Sequence, residues 1–204
     1  MNILVTGFKP FHNWQSNPTE HLVETLMKAP PQGITLEGLI LPVSYKDAPR
    51  IVLDKLFKGN FSGLLMLGLM PDPAIIKIEK LAINLGDSGL PDSKSVIMKD
   101  QVLIKGGPVS IFGNFDITRI LNALETKGIP GIASLSAGAF VCNATYYQVA
   151  YEIEYRGCKL PFCFVHIPPS EAEKQTSGGI FLPMSVLMKG VKLIIENLVP
   201  SPDS

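Results

Sequence analysis

Gly63-Leu64-Leu65-Met66-Leu67-Gly68 is an unbroken apolar run, short and bounded by glycine, and it reads as a buried strand. Working outward, Ile3 to Thr6 reads as another short buried strand. Asn17-Pro18 then opens a helix, with Asn17 suited to capping and Pro18 to the first turn. Leu22, Val23, Leu26 and Met27 give that helix an apolar face. Further strands are expected over residues 36–41 and 77–85, and further helices over 47–57, 116–127 and 143–156. The last helix is the clearest, because Met184, Leu187, Met188, Val191, Ile195 and Leu198 recur at the spacing of one buried face. Pro200 to Ser204 reads as a frayed tail. Short apolar strands alternating with amphipathic helices predict a three-layer α/β/α arrangement with a mostly parallel or mixed twisted sheet. Residues 1–204 are expected to form one domain.

Composition excludes several classes of function. The apolar fraction of 46% is ample for a single core, and 18 basic residues balance 18 acidic ones, so no basic stripe argues for nucleic acid or a membrane surface. The apolar runs are too short to span a bilayer. The opening residues Met1-Asn2-Ile3-Leu4-Val5 look like a core strand rather than a signal peptide, which favours a cytoplasmic home. Three cysteines, an odd number, fit reduced thiols better than a disulfide framework. No histidine pair has the spacing of a helical zinc site, and no metal is expected. Val5-Thr6-Gly7 ends a first strand as in dinucleotide folds, but Lys9, Pro10 and Phe11 follow where further glycines would be needed.

The chemistry gathers in two stretches. Ser136-Ala137-Gly138-Ala139-Phe140-Val141-Cys142-Asn143 sets a cysteine where small residues give way to a helix expected to begin at Asn143. Amides at a helix start lack intrahelical partners and carry partial positive charge, which would ease loss of the thiol proton. Phe162-Cys163-Phe164-Val165-His166-Ile167-Pro168 reads as a buried strand presenting His166 at its end. Ligands of such sheets gather at the carboxyl ends of strands, where Phe8, the Gly68 loop, Cys142 and His166 should converge. Each residue also has an inert reading: a packed thiol for Cys142, a hydrogen-bonded core ring for His166. Glu79 sits where the apolar side of 76–83 switches from even to odd positions, compatible with a bulge or strand end; a solvated charge beside Lys77 or Lys80 is the other reading.

Four blocks together make the chain resemble the pyroglutamyl peptidase I family. They are Ile3-Leu4-Val5-Thr6-Gly7-Phe8-Lys9-Pro10-Phe11 with Asn17-Pro18, Ile78-Glu79-Lys80-Leu81-Ala82-Ile83-Asn84, the Cys142 block, and Phe164-Val165-His166-Ile167-Pro168. The resemblance implies a cysteine exopeptidase that releases an N-terminal pyroglutamyl residue from a small peptide, without a cofactor. Cys142 would be the nucleophile, His166 the base, and Glu79 the carboxylate orienting the imidazole, with Asp92 as the fallback. Phe8, Phe11 and Phe140 would wall the lactam pocket, with Leu69 and Val141 beside them. Cys158 and Cys163 read as structural. A cytoplasmic homotetramer is implied by resemblance alone.

The likeness breaks in three places. Leu69-Met70-Pro71-Asp72-Pro73 replaces a family loop of the Gln-Ala-Gly-Gly-Arg kind, His12-Asn13 replaces a glycine pair, and Gly89 stands where the family has an arginine. These departures keep two alternatives in view: a related thiol amidase of different specificity, and a catalytically weak homologue acting as a binding protein.

Overall fold

The computed structural model describes residues 1–71 and 73–199; the tail at 200–204 lies outside the described residues. Strands β1 (Asn2–Phe8), β2 (Thr35–Leu41), β3 (Gly63–Leu69), β4 (Ile76–Glu79), β7 (Gly131–Ser134) and β8 (Phe162–Ile167) form one sheet in the order β2-β1-β3-β8-β4-β7. Strands β5 (Leu81–Ile83) and β6 (Ser110–Phe112) make a separate two-stranded ribbon. Helices α1 (Pro18–Lys28), α3 (Ile117–Thr126) and α5 (Met184–Leu198) cover one face of the large sheet, and α2 (Asp47–Lys58) and α4 (Val141–Tyr155) cover the other. This is the expected three-layer α/β/α arrangement with a mixed sheet.

Alternation along the strands sorts the core into two layers. Ile3, Val5, Leu65, Leu67, Val165 and Ile167 meet Leu22, Leu26, Leu187 and Val191 of α1 and α5. Leu4, Phe8, Leu64, Met66, Phe162 and Phe164 meet Val52, Leu56, Val149 and Ala150 of α2 and α4. Strands buried on both faces read as continuous apolar runs, which is why Gly63–Gly68 was legible.

Two features of the sheet position the site. Strand β1 pairs in parallel with β2 on one side and β3 on the other, so the chain reverses direction of travel across the sheet between them. A crevice outside the carboxyl ends of β1 and β3 follows from that switch. The link 70–75 is too short for a crossover, so β4 runs antiparallel to β8 while β3 and β8 are parallel.

The strand expected over 77–85 is two strands. After Glu79 the Lys80 amide donates to the Ser134 carbonyl and its carbonyl accepts from Gly113, and the chain leaves the sheet to form β5. The phase slip at Glu79 is thus a strand end. Strands β6 and β7 were not anticipated; each is too short to show a period. Helix α4 begins at Val141, two residues before the expected start, so Cys142 lies inside its first turn. Among the described residues no helix is long and apolar enough to cross a membrane.

Candidate active site

His166 is the penultimate residue of β8 and shares a sheet face with Phe162 and Phe164. Its partner across the parallel pair with β3 is Gly68, which presents no side chain. Cys142 fills that gap: its Sγ lies 2.9 Å from where a Cβ on Gly68 would stand, with the Phe164 ring equally close. The thiol therefore sits on the face that carries the imidazole, above the strand next to it. A methyl at residue 68 must push the sulfur or the ring aside. With Cys142 read as the nucleophile, Gly68→Ala is expected to lower kcat about 100-fold, since displacing a reacting atom by an ångström costs that much. Steady-state kinetics beside a thermal melt that stays cooperative would check it.

Glu79 ends β4. Lys77 lies opposite His166 and Glu79 opposite Phe164, which makes Glu79 the diagonal neighbour of His166 on the same face. The carboxylate Oε1 is 2.8 Å from His166 Nδ1, and the two side chains are 0% and 2% exposed. The Tyr146 hydroxyl donates to the Glu79 carbonyl at 3.1 Å, tying the strand end to α4. Asp92, the fallback, is used elsewhere: its carboxylate accepts from the amides of Tyr45, Lys94 and Val96 and organises that loop.

The first turn of α4 holds the thiol. Gly138, at φ 74, makes the tight turn that small residues had suggested. Phe140 is the N-cap, with no side-chain cap bond, and the Ala144 amide is bonded to the Phe140 carbonyl at 3.0 Å. The amides of Val141, Cys142 and Asn143 precede the intrahelical ladder. The Asn143 side chain accepts from the Ile83 amide and donates to the carbonyls of Ile83 and Leu85, anchoring the helix start to the ribbon beyond Glu79. The expectation of an eased thiol does not hold in the ligand-free site: burial, with the Glu79 charge adding to it, pushes Cys142 up to about 12. Desolvation disfavours the charged form of a thiol, and the nearby negative charge acts in the same direction.

A pocket of about 280 Å³ opens above the sulfur. Phe8, Phe11, Leu69, Phe140, Val141 and Cys142 all line it, so the five residues expected to surround a substrate are together with the thiol. Phe11 and Phe140 have ring centroids 5.9 Å apart, and Tyr45 meets Phe140 edge to face at 5.4 Å. His166 and Glu79 are not part of this lining. Trp14 and Asn17 are, as are Val43, Pro71 and Leu90, which sit in loops without a readable period. Asn17 both caps α1 through the Thr19 amide and braces the loop through the Lys9 carbonyl. Cys158 is exposed and Cys163 buried. His12 and His21 are both exposed, in a turn and on α1.

The model of the Pyroglutamyl peptidase family matches residues 1–200. The chain belongs to that family. It is 32% identical to a pyrrolidone-carboxylate peptidase of Halalkalibacterium halodurans over 96% of this chain and 98% of that protein. A second relative with the same name, from Pyrococcus furiosus, is 30% identical over 96% of this chain and 97% of its own length. In three dimensions the chain is similar to the pyrrolidone carboxyl peptidase of Fervidobacterium islandicum, with a TM-score of 0.91 and 32% identity over 97% of this chain and 98% of that one. The Thermus thermophilus structure of the same name gives 0.87 and 33% over 96% and 100%.

The departures from the pyroglutamyl peptidase pattern have visible consequences. His12 keeps a backbone conformation that glycine adopts freely, φ 56. Gly89 is exposed, with no atom within 4 Å of a would-be Cβ, and the next residue, Leu90, lines the pocket. In the altered loop, the Met70 amide donates to the Ile167 carbonyl at 2.9 Å, and Lys77 Nζ lies 3.2 Å from Met70 Sδ.

Proposed function

We propose that this chain is a cysteine exopeptidase hydrolysing the amide bond after an N-terminal pyroglutamyl residue, with Cys142, His166 and Glu79 as its catalytic residues. The observation that carries the reading is the buried imidazole–carboxylate pair on the sheet face that also holds the thiol, below an aromatic pocket. A flat, weakly polar lactam suits walls made by Phe8, Phe11 and Phe140 beside Leu69 and Val141. Glu79 accepts the Nδ1 proton of His166, which leaves Nε2 free to act as a base.

A thiol held protonated needs such a base. His166 takes the Cys142 proton as Sγ bonds to the pyroglutamyl carbonyl carbon, and the tetrahedral oxygen gains negative charge. Amides at the start of α4, which have no intrahelical partners, are preorganised donors beside the thiol for it. As the intermediate collapses, the C–N bond breaks and His166 delivers its proton to the departing amine. Water then adds to the thioester with His166 again as base, releasing pyroglutamate and returning the proton to the thiol.

Residues 1–204 are read as one domain in this role. Exposed Val109 and Phe112 on the ribbon and Leu135 beyond β7 favour a homo-oligomer, a tetramer by family likeness. Three free thiols favour a reducing, cytoplasmic setting. The test of the activity is release of aminomethylcoumarin from its pyroglutamyl amide by the purified chain. The expected result is turnover on that substrate and none on the alanyl amide. No release, or equal release from both, would refute the assignment.

A further inference from the structure

The loop between β1 and α1 supplies Phe11, His12 and Trp14 to the pocket. Its two ends are anchored: the Lys9 amide donates to the Leu41 carbonyl, and Asn17 caps α1. Between them, the one polar bond from residues 10–16 to another element, among the described residues, runs from the Ser16 hydroxyl to Glu173 Oε1. Glu173 is 2% exposed. Its other oxygen, Oε2, accepts from the Ser170 amide at 2.8 Å and the Ser170 hydroxyl at 2.6 Å. Its hydrogen-bond partners are thus hydroxyls and an amide, with no cation in salt-bridge range among the described residues.

A carboxylate buried on such partners is costly to retain for a local turn alone. The Ser170 bonds close the capping box of the short 3-10 helix Glu171–Glu173 and involve only Oε2. The bond to Ser16 is different, because it spans 157 positions and ends between Trp14 and Asn17, two residues that line the pocket. The 3-10 helix also follows His166 closely, through Ile167-Pro168-Pro169-Ser170, where two prolines restrict the backbone. One stiff segment therefore references the imidazole and the aromatic wall to each other.

We propose that Glu173 is a positioning residue for substrate binding: through Ser16 it holds Phe11 and Trp14 over the Cys142 thiol. This rests on the reading of the pocket as the acyl site. The lactam meets a preset wall, and the loop is not ordered at the expense of binding energy. The segregation of the two oxygens makes the proposal separable from folding. Ser16→Ala removes the long-range bond and leaves the capping box in place. Glu173→Gln can keep its carbonyl oxygen on the Ser170 amide and hydroxyl and meet the Ser16 hydroxyl oxygen with its NH₂, so both contacts have a partner.

The experiment combines kinetics with fluorescence. Ser16→Ala is expected to raise KM for pyroglutamyl-aminomethylcoumarin about tenfold, the value of one well-placed hydrogen bond, with kcat and the thermal midpoint near wild type. Glu173→Gln should restore most of that loss relative to Glu173→Ala. Trp14 is the single tryptophan of the chain, so acrylamide quenching of its emission reports the loop without any substrate. Quenching should rise in Ser16→Ala and stay near wild type in Glu173→Gln. Unchanged quenching and KM in Ser16→Ala overturn the proposal, as does a fall in kcat that tracks a lower thermal midpoint. Should wild type fail to cleave the pyroglutamyl substrate, the activity is refuted, and the Trp14 measurement still decides whether the latch exists.

Discussion

Replacing Cys142 with serine is expected to lower kcat on pyroglutamyl-aminomethylcoumarin by roughly 10⁴- to 10⁶-fold, the range seen when a hydrolase loses its nucleophile. Serine is slightly smaller and fits the gap above Gly68, so the melt should stay cooperative and the Trp14 emission unchanged. The loss is large because the hydroxyl is a far weaker acid than the thiol and the site does little to ionise either. Burial and the Glu79 charge already push the Cys142 thiol up to about 12, so in the proposed mechanism turnover relies on transfer of its proton to His166. A second consequence concerns the substrate-free enzyme. A raised thiol is protonated at neutral pH and ionises only as pH climbs toward that value. Alkylation of Cys142 by iodoacetamide should therefore keep accelerating through the alkaline range, with no plateau near neutrality. Peptide mapping distinguishes it from the exposed Cys158.

Replacing Glu79 with glutamine is expected to lower kcat about 10⁴-fold, the effect of swapping a triad carboxylate for its amide. Glutamine is nearly isosteric and keeps a contact with His166 Nδ1, but its NH₂ can donate where the carboxylate only accepts. The ring then settles with its proton on Nε2, the nitrogen that the proposed mechanism uses as the base. The same substitution should act in the opposite direction on alkylation. The Glu79 charge is one of the two causes that raise the Cys142 thiol, so removing it lowers the thiol and speeds reaction with iodoacetamide at a fixed pH. Slower hydrolysis with faster alkylation is a crossed result. A loss of folding would not produce it, because unfolding also exposes Cys163, which is buried in the native state.

The fold was legible where a period or a cap survives in the residues. Gly63–Gly68, the α1 cap at Asn17 and the apolar face of α5 each carry such a mark. The short strands β6 and β7 carry none, and β7 follows an edge whose side chains are largely exposed. The break at Lys80 was visible only as a change of phase, because what ends β4 is a pair of backbone bonds to Ser134 and Gly113 from distant parts of the chain. At the site, Cys142, His166 and Glu79 were named from motifs, yet their juxtaposition depends on Gly68 having no side chain, a role that the buried-strand reading did not contain. The raised thiol differs from the sequence expectation for a similar reason. A helix start is written in the sequence, whereas the packing of the half-buried Cys142 against Gly68 arises only after folding. Val43 and Leu90 reach the pocket from loops, and the Ser16–Glu173 bond joins opposite ends of the chain; neither leaves a local signal.

The central claim is that the Cys142 sulfur bonds covalently to the pyroglutamyl carbonyl. Rapid acid quenching of wild-type enzyme during turnover, followed by mass spectrometry of its peptides, tests that claim most directly. The account predicts one pyroglutamyl thioester, on the peptide carrying Cys142, absent from Cys142→Ser. An adduct on Cys158 or Cys163, or undiminished turnover in Cys142→Ser, would contradict it.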